Sequence, residues 1–220
     1  CTDLIRRRCR IHVQRRIRQR PPAFCTIAGM NPETLPLFPL GSVLNPGGWL
    51  DLRIFETRYL DLVRDCGRTG TGFGVCLIID GQEAGTPATP AAIGTEARIE
   101  DFGTTEDGLL MLKVRGARRF HVRRTQTRGS GLIVADVEWC EPDPDDELRP
   151  EHGLLGNMLQ QAIEQVGGEF AKVPPSRFDD AAWVGWRLAE LLPLGNPQRQ
   201  VLLQEDDPHA RLDRLLALMP

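Results

Sequence analysis

Residues 35–59 read LPLFPLGSVLNPGGWLDLRIFETRY, and the change of period inside this stretch decides the fold. Leu35, Leu37 and Leu40 surround Phe38. Pro36 and Pro39 are expected to bar the segment from a central strand position, because proline cannot donate to a ladder. Pro46-Gly47-Gly48 is a turn. From Trp49 the chain alternates, with Leu50, Leu52 and Ile54 on one face and Asp51 and Arg53 on the other, as in a half-buried strand. Phe55, Tyr59, Leu62 and Cys66 then recur at helical spacing, and Gly67 is placed to end the helix. A strand over 49–55 therefore runs into a short helix over 56–66. Glu56 stands where the helix dipole favours a carboxylate, so it is expected to accept from the first amides or to pair with an arginine. Arg58 is expected to find a nearby acid. With no nucleophile or second base nearby in sequence, the pair reads as scaffold rather than as catalytic machinery.

Further along, FGVCLIID (73–80) is a buried strand and 81–91 is a Gly- and Pro-rich loop. IGTEARIEDF (93–102), GLLMLKVRG (108–116), ARRFHVRRT (117–125) and GLIVADVEWC (131–140) read as further strands, and RGSG (128–131) as a hairpin turn. Several short strands with one short helix point to a small closed or nearly closed barrel, since closure removes edges. EPDPDDE (141–147) is a linker or solvated turn. It lacks the Gly and Glu that a calcium loop needs at its sixth and twelfth positions. Beyond it the chain is helical. Pro150 suits a first helical position, and Leu155, Leu159, Ile163 and Val166 form a stripe before Gly167-Gly168. Asp179 or Asp180 caps a helix carrying Val184, Leu188 and Leu191, which Pro193 ends. Asn196-Pro197 and Asp207-Pro208 each read as a cap followed by proline. Leu212, Leu215, Leu216 and Met219 face a core. The expected class is α+β, with a barrel over 30–147 and a helical subdomain over 148–220.

Charge is uneven along the chain. Residues 1–29 hold eight Arg and one acid, a balance of +7, while the remainder holds 19 Lys+Arg against 29 Asp+Glu, a balance of −10. An acidic body repels phosphate and argues against nucleic-acid binding. The arm 1–29 precedes the first methionine, Met30, and reads as upstream sequence. A basic arm for RNA or anionic lipid and a mitochondrial presequence are the alternatives, the latter weakened by the lack of Ser. There is no apolar run long enough to span a membrane as a helix and no secretory h-region, so the cytoplasm is the default location. The six Cys form no C-x-x-C, and Cys66 and Cys76 sit in apolar patterns as reduced core thiols.

No catalytic or metal constellation emerges. Ser42, Ser130 and Ser176 are the only serines, and none lies in G-x-S-x-G. Lys113 and Lys172 are the only lysines available for a Ser–Lys pair. The histidines, at 12, 121, 152 and 209, are scattered, so no metal is expected. His121 reads as a polar-face strand residue. GTGFG (70–74) precedes a strand instead of opening a helix, so it is a turn rather than a dinucleotide loop. No P-loop is present and no cofactor is expected.

The ordered set LPLFPL, PGG, L-x-IFExRY, FGV (73–75), IGTEARI (93–99), DGLLMLKVRGARRFHV (107–122), ADVEW (135–139) and LAELLPLGNPQRQVLLQEDDPHARLDRLLALM (188–219) resembles the N-terminal domain of Lon, the ATP-dependent protease. The resemblance spans roughly 35–219 and implies a PUA-like β-barrel followed by a helical subdomain. It also implies a non-catalytic role, since in Lon this domain helps recognise unfolded or tagged polypeptides and supports assembly. The ATPase and Ser–Lys protease of Lon lie C-terminal to it, so a stand-alone module is expected.

Three functions follow as expectations. The first is a module binding unfolded polypeptide or a partner protein at a barrel edge, with Trp49, Phe55, Phe73 and Phe102 as candidate contacts. The competing role for each of these four is core packing. The second is a hydrolase named by association with Lon, which requires a serine within reach of Lys or His. The third is an RNA-binding PUA-like module, which requires Arg115, Arg118, Arg119, Arg123, Arg124 and Arg128 to form a free basic stripe rather than a salt-paired strand face.

Overall fold

A computed structural model describes residues 33–83, 85, 88–166 and 173–219. The basic arm 1–29, Lys172 and the expected Gly167-Gly168 stop lie outside the described residues. Six strands come first: β1 (Glu33–Leu40), β2 (Trp49–Ile54), β3 (Phe73–Asp80), β4 (Thr89–Thr104), β5 (Leu110–Thr127) and β6 (Ile133–Trp139), with helix α1 (Thr57–Thr69) between β2 and β3. Helices α2 (Gly153–Val166), α3 (Ala181–Leu191), α4 (Asn196–Leu203) and α5 (Pro208–Ala217) follow. This is the expected α+β arrangement, and no helix among the described residues is long and apolar enough to cross a membrane.

The sheet runs β2-β5-β4-β3-β1-β6, and β6 pairs again with β5. Five strands thus close a ring, and β2 hangs on the outside of it. Closure depends on β5, a single strand where the sequence reads two. Its first part pairs with β2 (Leu110↔Ile54 to Arg115↔Trp49) and its last part with β6 (Phe120↔Trp139 to Thr127↔Ile133). Gly116 hid this continuity by breaking the side-chain alternation. A Cβ at Gly116 would lie 2.1 Å from the Asn45 carbonyl oxygen. The turn at Gly47-Gly48 exchanges two main-chain hydrogen bonds of 2.8 Å with it. Only glycine allows so close an approach.

β1 lies inside the strand order despite its prolines. Residues 33–36 pair with β6 only and residues 37–40 with β3 only. Each half is therefore an edge on its other side, and that is where a residue without an N–H is tolerated. The helix α1 runs to Thr69, past Gly67, and Gly70 supplies the left-handed residue at φ 68°, ψ 19°. Tyr59, Leu62 and Cys66 of α1 pack into a core with Phe38, Leu52, Ile54, Phe73, Val75, Leu112 and Val114. The Phe38 and Tyr59 rings stack at 4.0 Å. Each fully buried large side chain contributes about 1.5–3 kcal/mol. Cys66 and Cys76 are buried thiols without disulfides, and burial pushes Cys76 up to about 12.

Leu155, Leu159 and Ile163 of α2 meet Val184 and Leu188, Leu202, and Leu212 and Leu215 in a second core. Asp180 caps α3 by accepting from Trp183 N at 2.9 Å, and Asp207 caps α5 by accepting from His209 N at 2.8 Å. Asn196 is not the cap of α4. Gly195 is, and the Gln198 side chain accepts its N–H at 2.8 Å. The acidic segment 141–147 is more than a solvated linker. Leu148 N donates to Asp179 O at 2.6 Å and Ala181 N to Asp146 O at 3.0 Å, so its end is tied to the start of α3.

Candidate functional site

The carboxylate and guanidinium of the opening stretch form a closed structural unit. Glu56 is the N-cap of α1 by position, but its side chain makes no capping bond. It pairs with Arg58 at 3.0 Å instead. Arg58 is 7 % exposed, donates to Gly131 O at 3.0 Å, and lies 4.8 Å from the Tyr59 ring. The arginine thereby ties the start of α1 to the turn between β5 and β6. Burial pushes the Tyr59 hydroxyl up, against the lowering effect of Arg58.

The four candidate aromatics part company. Phe73 is fully buried in the barrel core and offers no contact surface, which corrects its candidacy. Trp49, Phe55 and Phe102 are exposed, at 40 %, 60 % and 74 %. Trp49 pairs with Arg115 on the outer face, and Lys113 and Arg115 lie over its ring at 4.8 and 5.3 Å. Phe102 pairs with Leu112, which pairs with Leu52, so it projects on the core side of the same strands. There the sheet runs on beyond its cover. Leu110, Ile99, Leu60 and Val63 around that core are only partly buried. Trp49 and Phe102 are thus on opposite faces of β2-β5-β4. Trp49 lies on β2, whose only strand partner among the described residues is β5, and Phe55 follows β2 directly, whereas Phe102 lies on β4, beyond β5.

Half of the arginine run is engaged. Arg118 pairs with Glu96 at 3.0 Å and lies 3.7 Å from the Trp139 ring. Arg123 pairs with Glu138. Arg119 is 5 % exposed and donates to Leu203 O and Glu205 O at 3.0 and 3.2 Å. Half of the stripe is thus salt-paired or tied to the helices, while Arg115, Arg124 and Arg128 are exposed, Arg115 against the Trp49 ring.

Among the described residues, Ser42, Ser130 and Ser176 make no hydrogen bond to a Lys or His side chain; the Ser130 hydroxyl accepts weakly from Leu132 N at 3.5 Å. His121 is half-buried, and burial lowers its affinity for a proton. The fold does bring two scattered histidines together. His152 and His209 stack at 5.5 Å, Nδ1 to Nδ1 at 3.4 Å, with Asp213 2.8 Å from His152 Nε2. Sequence reasoning missed this pair because 57 residues separate its members. No group of three or more His, Cys, Asp or Glu among the described residues is arranged to hold a metal ion.

A second unread feature joins barrel and helices. Asp143 accepts from Trp186 Nε1 at 2.7 Å and from Arg211 at 2.9 Å, and lies 3.5 Å from Arg119. Arg211, fully buried, stands 3.4 Å from the Trp186 ring. Arg187 donates to Pro46 O at 2.7 Å and Gly47 O at 3.0 Å, and pairs with Glu190 at 2.9 Å.

Residues 34–220 match the family described as the ATP-dependent protease La (LON) substrate-binding domain. The crystal structure of a Lon N-terminal domain protein from Xanthomonas campestris is similar, with 60 % identity and a TM-score of 0.74, covering 86 % of this chain and 99 % of that one. The N-terminal domain of Mycobacterium avium complex Lon protease has the same fold, with a TM-score of 0.60 at 17 % identity, over 84 % of this chain and 97 % of that one. With the family match running from β1 to the end of the helical part, the chain belongs to the Lon substrate-binding domain family.

Proposed function

We propose that this chain is a non-catalytic module that binds unfolded polypeptide, with Trp49 and Phe55 as contact residues at the open edge of β2 and Phe102 as a further contact on β4. The observation that carries the reading is the exposure of Trp49 and Phe55 beside β2, whose outer edge has no strand partner among the described residues, with Phe102 exposed on β4 of the same sheet. An extended chain adding to that edge gains main-chain hydrogen bonds, and exposed rings on either face of the sheet take its alternating side chains. Membership of a substrate-binding family supports the same class of ligand. Pairing of Arg118 and Arg123 with acids and burial of Arg119 break up the basic run, and the excess of 29 acidic over 19 basic groups in 30–220 opposes RNA.

The test is fluorescence anisotropy of a labelled, permanently unfolded polypeptide, a folded control and a short RNA, each at two salt concentrations. The unfolded chain binds selectively and tolerates salt, whereas phosphate-driven binding falls steeply with salt. Replacing both Phe55 and Phe102 by Ser weakens binding about tenfold or more, because burying each ring on the ligand is worth about 1 kcal/mol or more. Salt-sensitive RNA binding without polypeptide binding overturns the proposal.

A further inference from the structure

We propose that the groove between the C-terminal end of β3 and the start of α4 is a second docking site for a client polypeptide, taking a short extended apolar segment flanked by a basic residue. The inference rests on the polypeptide-binding reading above. The groove has a volume of about 560 Å³ and is lined by Leu77, Ile78 and Ile79 of β3, by Glu83, and by Pro197 and Gln200 of α4. In the sheet order β3 is separated from β2 by β5 and β4, so this is a different surface from the aromatic one.

The first observation is an open strand edge. Pairing between β1 and β3 ends at Leu40↔Leu77, while β3 continues to Asp80. The β1 side of Ile78–Asp80 therefore has no strand partner among the described residues. The main-chain groups of Gly41, just after β1, are taken up by two side chains: Gly41 N donates to Glu83 Oε1 at 2.5 Å, and Asn196 Nδ2 donates to Gly41 O. Ile79 is 63 % exposed at the same place. An unpaired strand edge with an exposed β-branched side chain is a template for another chain, and proteins normally cover or charge it.

The second observation is charge. Glu83 is the ionisable side chain among the lining residues, and residues 30–220 carry 19 basic against 29 acidic groups. A Lys or Arg beside the apolar segment matches both, and an acidic flank is repelled.

The experiment uses the full 220-residue chain and two labelled nonapeptides sharing a Leu-Val-Ile-Val core, one flanked by Arg and the other by Asp, alongside the long unfolded polypeptide. The Arg-flanked peptide binds more tightly. Ile79→Asp, at an exposed position compatible with folding, weakens it about tenfold or more. Val201→Asp places the same charge on an exposed α4 residue outside the groove lining and leaves binding unchanged. Glu83→Gln keeps the acceptor for Gly41 N and abolishes the preference between flanks. Long-chain binding that survives Ile79→Asp, with indifferent nonapeptides, overturns the groove while leaving the polypeptide-binding reading intact. Failure of the wild-type chain to bind any polypeptide overturns both. A dimer seen by sedimentation and broken by Ile79→Asp assigns the groove to a second copy and overturns the client assignment.

Discussion

Glu190 shows how burial can outweigh two favourable partners. Its carboxyl is pushed up to about 7, mainly by desolvation, against the lowering influence of Arg187 and Arg199. The folded state then holds a proton on Glu190 in the pH range where the unfolded chain has lost it. Stability attributable to this group is full below its unfolded pKa and is lost as pH rises through about 7. The shift corresponds to roughly 3–4 kcal/mol at 1.36 kcal/mol per unit. Urea midpoints of the wild-type chain should fall between pH 5 and pH 8, and Glu190→Gln should flatten that fall. Equal slopes in both proteins contradict the assignment. Arg58 gives the complementary case. Arg58→Met keeps the bulk but strips Glu56 and Gly131 O of their partner, and should cost about 2–4 kcal/mol in a denaturant titration.

Elements are where sequence and structure can be compared most closely. The alternation of 49–54 and the helical spacing from Tyr59 to Cys66 were legible because each has one buried face. The end of α1 was not legible, since Gly67 is a solvent-facing helical residue and the left-handed conformation falls at Gly70. The unity of β5 was hidden by Gly116, whose role is set by the distant turn at 46–48. Gly116→Ala drives a Cβ into the Asn45 carbonyl and should cost about 2–4 kcal/mol, or prevent folding, in contrast to Gly103→Ala, where a Cβ meets nothing within 4 Å. Thermal melts of the two variants side by side check this. The exposure of Phe102 was equally illegible. Its parity places it with Leu112 on the inner face, and only the extent of the covering elements leaves it in solvent.

At the scale of the molecule, the barrel and the helices meet through residues that no sequence pattern joins. Arg119 comes from β5, Asp143 from the acidic connection, Trp186 from α3 and Arg211 from α5. Asp143 is the common acceptor, and its removal leaves two buried guanidiniums and an indole N–H short of a partner. Arg119 keeps Asp206 at 3.0 Å, but Asp206 is an exposed side chain and compensates only in part. Breaking a buried charge pair from one side costs about 3–5 kcal/mol, and here that loss falls on the contact between the two parts rather than inside either core. The wild-type chain should therefore unfold in one transition, with far-UV circular dichroism and tryptophan fluorescence coincident. Asp143→Ala should separate them: Trp186 reports the loosened interface at lower denaturant, while the strands around Phe73 and Val114 persist. Coincident transitions in the variant, shifted together, place Asp143 within a single cooperative core and remove its role as the joint between barrel and helices.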